Sequence, residues 1–420
     1  MTALARFMRP RAHYGWVVVA LTFLLMLTTA AVRSTPGVLI LPLEQDFGWD
    51  RATISAAVSL NLLLYGLIGP FAGELMQRIG LRRTILIALS TVLIGLLLTT
   101  QITHVWQLVV VWGGVIGAGT GMTALVLGAT VVNRWFATRR GLAIGFLTAS
   151  SATGQLLFLP PLALIVTHVS WQAAVFTVAI ATAILVPLIA TLLPERPADI
   201  DLAPYGAEAQ VSVTPNIHRA IPVLRDAIRV PDFWLLFASF FVCGATTNGL
   251  IGTHLIAACA DHGIAEVTAA GLLAMMGIFD FVGTVGSGWM SDRFSNRHLL
   301  FWYYALRGLS LFFLPFAFDA PGIGLPIFAV FYGLDWIATV PPTVRLCSEI
   351  FGRDRGPVVF GWVFAGHQIG AAMAALGAGI IRQSEGSYLP AFLVAGATCI
   401  VGALLVLGVR STPRANVLAA

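Results

Sequence analysis

Four ionisable residues stand inside otherwise apolar stretches of this chain: Arg33, Asp280, Arg307 and Asp335. A guanidinium presents a planar fork of donors that matches a carboxylate, so Arg33 and Arg307 are candidates to hold an organic anion. A carboxyl group taken out of water favours its protonated form, so Asp280 and Asp335 are candidates to carry a proton. Thr284 and Ser287 follow Asp280 at four and seven residues, a polar stripe on one helical face. Thr339 and Thr343 follow Asp335 at four and eight. Further polar groups in apolar surroundings are Asn61 and Tyr65, Thr148, Ser151 and Gln155, Asn248 and His254, and His367 with Gln368. Histidine titrates near neutral pH, so His367 could relay a proton, while Asn248, His367, Gln155 and Tyr65 are candidate substrate contacts. Each has a structural alternative. Arg307 could form a permanent salt bridge to Asp280 or Asp335. Arg33 and Arg345 could carry their charge to the membrane surface along their aliphatic stems. His367 could be a neutral, hydrogen-bonded packing residue.

The elements that must position these groups are membrane helices. The composition is 58% hydrophobic and only 10% charged, with a mean hydropathy of +0.88. A soluble domain carries about 25% charged residues. Apolar runs long enough to span a bilayer lie near 15–40, 52–75, 84–100, 105–129, 141–167, 171–193, 232–258, 268–291, 299–317, 322–346, 357–380 and 388–409. In lipid every backbone group needs an internal partner, so these runs are predicted helices, twelve in number. All 24 basic residues are arginine, and 19 of them fall in segments on one side if the N-terminus is cytoplasmic. That bias predicts both termini in the cytoplasm, the first helix uncleaved, and a bacterial inner-membrane location. Arg51 and Arg382 fall outside. Within the spans, Asp280 sits about 17 Å and Arg307 about 12 Å from the inner ends, and Arg33 near an outer end.

Two charged loops repeat. Gly73, Arg78 and Arg82 recur as Gly288, Arg293 and Arg297 at an offset of 215, and Phe136 and Gly141 recur as Phe351 and Gly356 at the same offset. Two loops sharing one offset imply a duplicated unit. The halves are 1–193 and 231–420, joined by a hydrophilic cytoplasmic linker over 194–230 in which 226–229 is a candidate short surface helix. GGVIGAGTG (113–121) has no preceding strand and reads as close helix packing through small residues. Pro160–Pro161 and Pro341–Pro342 mark expected bends in the fifth and tenth spans. The four cysteines have no metal or disulfide spacing, and no H-E-x-x-H or nucleophile-elbow motif occurs. No cofactor, no metal, no nucleic-acid partner and no enzymatic activity are expected.

These residues resemble the major facilitator superfamily. Its signature loop between spans two and three is matched by Gly288, Asp292, Arg293 and Arg297 in the second half, and by Gly73, Arg78, Gly80, Arg82 and Arg83 in the first, where Gln77 replaces the acid. The resemblance implies an all-α fold of two six-helix bundles and a gating role for these loops. FATRRGLAIGFLTASSATG (136–154), YGW (14–16) and PLEQDFGW (42–49) are similar to the monocarboxylate transporter family and the related oxalate:formate antiporters. Asp280 matches that family's eighth-span aspartate, whereas Thr284 occupies the place of its arginine. A basic first-span residue near Arg33 is also implied by the resemblance.

The expected function is secondary active transport of a small organic anion, a monocarboxylate by resemblance, with proton symport by a monomer. Arg33 attracts the anion, Arg307 holds it and Asp280 takes the proton. The alternatives are pH-independent anion exchange and proton-coupled efflux of drugs or metabolites.

Overall fold

The computed structural model describes residues 13–207, 219–352 and 355–410, with a few helical residues, Gln155 among them, described by backbone alone. Eleven segments are long and apolar enough to cross a membrane among the described residues. They are Gly15–Phe47, Arg51–Met76, Leu81–Thr99, Val105–Gly128, Trp171–Leu192, Pro231–Asp261, Glu266–Ser291, Asn296–Asp319, Gly324–Phe351, Val358–Glu385 and Leu389–Leu407. The 29-residue helix Arg140–His168 is the fifth in a series of twelve. Large apolar side chains such as Ile180, Ile184, Val401 and Leu404 point outward and are more than half exposed. A soluble surface would not tolerate them; a lipid-facing one requires them.

Polar side chains inside the spans are satisfied locally. Thr22, Thr84, Thr99 and Thr182 each donate at 2.8 Å to the carbonyl four residues back. The small-residue stripe packs helices as expected. A methyl group on Gly113, Gly117 or Gly121 would meet the second span within 3.0 Å, and one on Gly119 would meet Val92 of the third at 2.7 Å.

The duplication extends beyond the loops. Arg51 and Glu266 open equivalent helices at the offset of 215, as do Leu81 and Asn296. The fourth span breaks over 122–124 and the tenth over 336–339, again the same positions. The proline pairs act differently from one another. Pro341–Pro342 sit in the first turn of Val340–Phe351, just after the break, where a missing N–H costs nothing. Pro160–Pro161 lie within a continuous helix. The first span is longer than its apolar run, because a second helix, Pro36–Phe47, continues it. In the linker the surface helix is Ala220–Ala227, earlier than expected, with Ala220, Val223 and Ala227 buried. It is tied to the eleventh span by Trp362 Nε1 donating to Ala220 O at 3.0 Å.

At the end carrying Arg51, one apolar core runs through both halves, from Val38–Leu43 and Ile54 to Ile256 and Leu273. At the linker end, the first half keeps a separate core around Tyr14, Trp135 and Phe136. The halves thus share one core at the Arg51 end, while at the linker end the first half keeps its own and the two halves meet through Phe71 on Trp362, 5.8 Å between centroids.

Candidate functional site

The break in the tenth span frees backbone groups in the interior of the bundle, and these need partners. Side chains of the eighth and ninth spans satisfy them. Arg307 donates Nε to Asp335 Oδ2 at 2.7 Å, Nη2 to the carbonyls of Asp335 and Trp336, and Nη1 to Cys243 Sγ at 2.9 Å. Asp280 Oδ1 accepts Ile337 N–H at 2.9 Å and the Thr284 hydroxyl at 3.0 Å. Ser287 donates to Ala338 O at 2.5 Å. The structural partner of Arg307 is therefore Asp335, and Asp280 serves the same break separately. All three nitrogens of Arg307 are engaged within the protein and only 1% of the residue is exposed, so a substrate carboxylate would have to displace Asp335 to reach it. By the offset of 215, Val92 occupies the position of Arg307 in the first half and Thr120 that of Asp335. There the break is managed by hydroxyls, with Thr123 donating to Thr120 O at 2.9 Å and Thr120 to Ile116 O at 3.0 Å. The fold alone does not demand an ionic clamp.

A second group of candidates meets where the halves face each other. The Arg33 guanidinium lies 4.7 Å over the Tyr65 ring. Tyr65 contacts Phe364 (6.1 Å between centroids), Phe364 stacks on His367 (5.4 Å), and His367 packs on Phe240 (4.9 Å). The first and second spans thereby touch the seventh and eleventh. Arg33 is not near an end, because the first span continues to Phe47. It stands roughly 27 Å from Gly15 and 21 Å from Phe47 along the helix. Arg33 and Asn248 occupy the same position in the two halves by the offset of 215, as do Tyr65 and Asp280. Asn248 is half-buried in a π-helical stretch, Ala245–Ile251. The side chains of Gln155 and Ser151 lie outside the described residues. Thr148 donates to Gly145 O, and buried His254 bonds Tyr388 and Ala375 O, both structural uses. Gln368 is fully enclosed against Gly66, and neither polar atom of its amide has a hydrogen-bond partner.

The sequence profile of the Major Facilitator Superfamily matches residues 21–346 and, in a second match, 260–419. The chain belongs to that superfamily. It is a multi-pass membrane transporter and not an enzyme. A Bacillus subtilis protein named as an uncharacterized MFS-type transporter, YcxA, is 25% identical over 402 residues, covering 94% of each chain. Monocarboxylate transporter 13 of Bos taurus is 27% identical over 395 residues, covering 94% of this chain and 88% of that one. In fold, the chain is similar to a D-xylose–proton symporter, with a TM-score of 0.75 at 16% identity over 94% of this chain and 97% of that one. It is similar as well to an inward-open structure of the xylose transporter XylE from E. coli, with a TM-score of 0.72 at 16% identity over 94% and 96%.

In this superfamily member the signature-loop candidates make contacts inside their own halves. Arg78 pairs with Glu74 at 2.5 Å, and a methyl on Gly73 would meet Val126 at 2.9 Å. Asp292 pairs with Arg345, which also bonds Glu349 at 3.2 Å; Arg345 is thus an ion-pair partner and does not simply reach for the surface. Arg293 covers Trp289 at 4.2 Å, and a methyl on Gly288 would meet nothing within 4 Å. At Arg82 the backbone N–H donates to Glu195 Oε1 at 3.0 Å, beside Leu81 N–H to Oε2 at 2.5 Å. Glu195, from the start of the linker, therefore supplies the carboxylate at a helix N-terminus beside the loop that lacks an acid at position 77. A charged contact between halves lies at the opposite end, where Arg51 bonds Asp261 through both terminal nitrogens at 2.9 and 3.0 Å. Sequence reading missed that pair because its members are 210 residues apart and neither belongs to a motif.

Proposed function

We propose that this transporter carries a small organic anion, best a monocarboxylate, by alternating access with proton symport. The observation that carries the reading is Arg33 held over Tyr65 at mid-depth between the halves. A guanidinium there offers a carboxylate a two-point partner, and the Tyr65, Phe364 and Phe240 rings offer a short apolar body a wall. Asn248, His367 and Gln155 are the further polar contacts assigned to the substrate. Relatives named monocarboxylate transporters support the same substrate class. The arginine distribution assigns the linker end and both termini to the cytoplasm of a bacterial inner membrane, and the chain acts as a monomer.

Asp280 is the proton carrier in this reading. It is buried, and both of its hydrogen bonds end on Oδ1, so Oδ2 is the oxygen left to take a proton. Asp335 stays with Arg307 and supports the coupling site from behind. Moving an anion alone against a membrane potential costs about 2.3 kcal/mol per 100 mV. A proton carried with it removes that cost. Uptake into proteoliposomes should therefore rise as external pH falls. Asp280→Asn should keep binding and counterflow but lose the acid stimulation. If acid stimulation survives in that variant, Asp280 is not the carrier. Wild-type counterflow that ignores pH would select anion exchange instead.

A further inference from the structure

The Arg51 end holds a charge cluster that neither the signature loops nor the substrate site uses. Arg51, only 8% exposed, donates Nε to Glu44 Oε2 at 2.9 Å and both terminal nitrogens to Asp261. Arg382 chelates the same carboxylate, with Nε at 2.7 Å and Nη2 at 3.1 Å. Tyr388, itself held by His254 at 3.1 Å, stands 3.5 Å from Arg51 Nη1. Glu44 and Arg51 belong to the first half; Asp261, Arg382, Tyr388 and His254 belong to the second. Around this cluster the backbones approach closely. A methyl on Gly37 would lie 3.2 Å from Gly252 O, and one on Gly379 would lie 2.6 Å from Ser55 Oγ.

We propose that Asp261 is the shared carboxylate of a charge-balanced gate between the halves. Closed, it is held by Arg51 from across the interface and by Arg382 from its own half. Open, the cluster separates into two neutral pairs, Glu44 with Arg51 and Asp261 with Arg382. An ion pair with no second partners would leave two desolvated charges on separation and would lock the end shut. Here each charge keeps a partner, so the contact can be broken and remade in every transport cycle.

This arrangement predicts opposite effects for two arginines bound to one carboxylate. Without Arg51, nothing spans the interface, and the end opens. Without Arg382, Asp261 has a partner only when the gate is closed, and the repulsion between the two arginines is also gone. The end then closes more firmly. A purely structural salt-bridge cluster predicts loosening in both cases.

The test places a cysteine at Ser55, which is fully buried against Gly379, in a background with Cys259 replaced by alanine. Its labelling rate by a membrane-impermeant maleimide is read without substrate. Arg51→Gln should raise the rate by about tenfold, which corresponds to about 1.4 kcal/mol. Arg382→Gln should lower it by a similar factor, and Arg382→Lys should return it to near the parent value. Asp261→Asn provides a second opening variant should Arg51→Gln fail to fold. Faster labelling in both arginine variants, or no change in either, overturns the gate. The proposal rests on the alternating-access reading but not on the substrate class. Labelling that follows these signs in a protein that ignores carboxylates would keep the gate and sink only the substrate assignment.

Discussion

Arg33→Gln is expected to weaken monocarboxylate binding by about 30-fold or more while leaving the protein folded. Truncating one member of a desolvated charge pair costs about 2–5 kcal/mol, and each 1.4 kcal/mol is a factor of ten. Glutamine keeps a hydrogen-bonding head of similar reach but no charge, so the loss measures the ionic part of the contact. Folding should survive because the guanidinium lies on the face of Tyr65, against which the glutamine side chain still packs. Arg33→Lys should recover part of the affinity, since a point charge remains but the planar fork does not. The measurement is substrate-dependent stabilisation of purified protein alongside uptake, with elution profile as the folding control. Unaltered affinity in Arg33→Gln would remove the anion site from this position.

The offset of 215 was readable from sequence because charged loops cannot lie in lipid, and the helix starts at Arg51 and Glu266, and at Leu81 and Asn296, keep it. Depth along a span was harder to read. The first apolar run reads as ending near residue 40 because Pro42 and Glu44 follow, yet the helix Pro36–Phe47 carries on and puts Arg33 in the middle. The bend expected in the tenth span at Pro341–Pro342 falls just after the break at 336–339, and its position was displaced for a related reason. Pro341 and Pro342 mark the first turn after it, while the residues that stabilise it, Asp280, Ser287 and Arg307, are on other spans. Asp280 and Arg307 were recognisable as buried ions that need partners, and sequence left two partners open for Arg307. Only the fold could say that its nitrogens go to Asp335, Trp336 and Cys243. Arg51 counted in the sequence as a marker of sidedness; its role between halves depends on Asp261 and Arg382, hundreds of positions away in the chain.

The sharpest test of the tenth-span clamp uses the first half as its own control. Arg307→Val leaves the Asp335 carboxylate and two interior carbonyls without their donors. Breaking a buried pair on one side costs about 3–5 kcal/mol. A loss of that size should lower the unfolding temperature in detergent by about 6–20 °C, at roughly 2–4 °C per kcal/mol. The double change Arg307→Val with Asp335→Thr copies Val92 and Thr120, the residues with which the first half handles the equivalent break. It removes the orphaned charge and should restore most of the lost stability, even though it contains one more substitution. If the double variant is as unstable as the single one, the two halves do not solve the break in interchangeable ways. If instead Arg307→Val melts like the parent but no longer binds carboxylates, Arg307 is the anion site after all and Arg33 is not. Acid-stimulated uptake in the restored double variant then asks a separate question. Its survival would confine proton coupling to Asp280, and its loss would make the Arg307–Asp335 pair part of the path by which that carboxyl group is tuned.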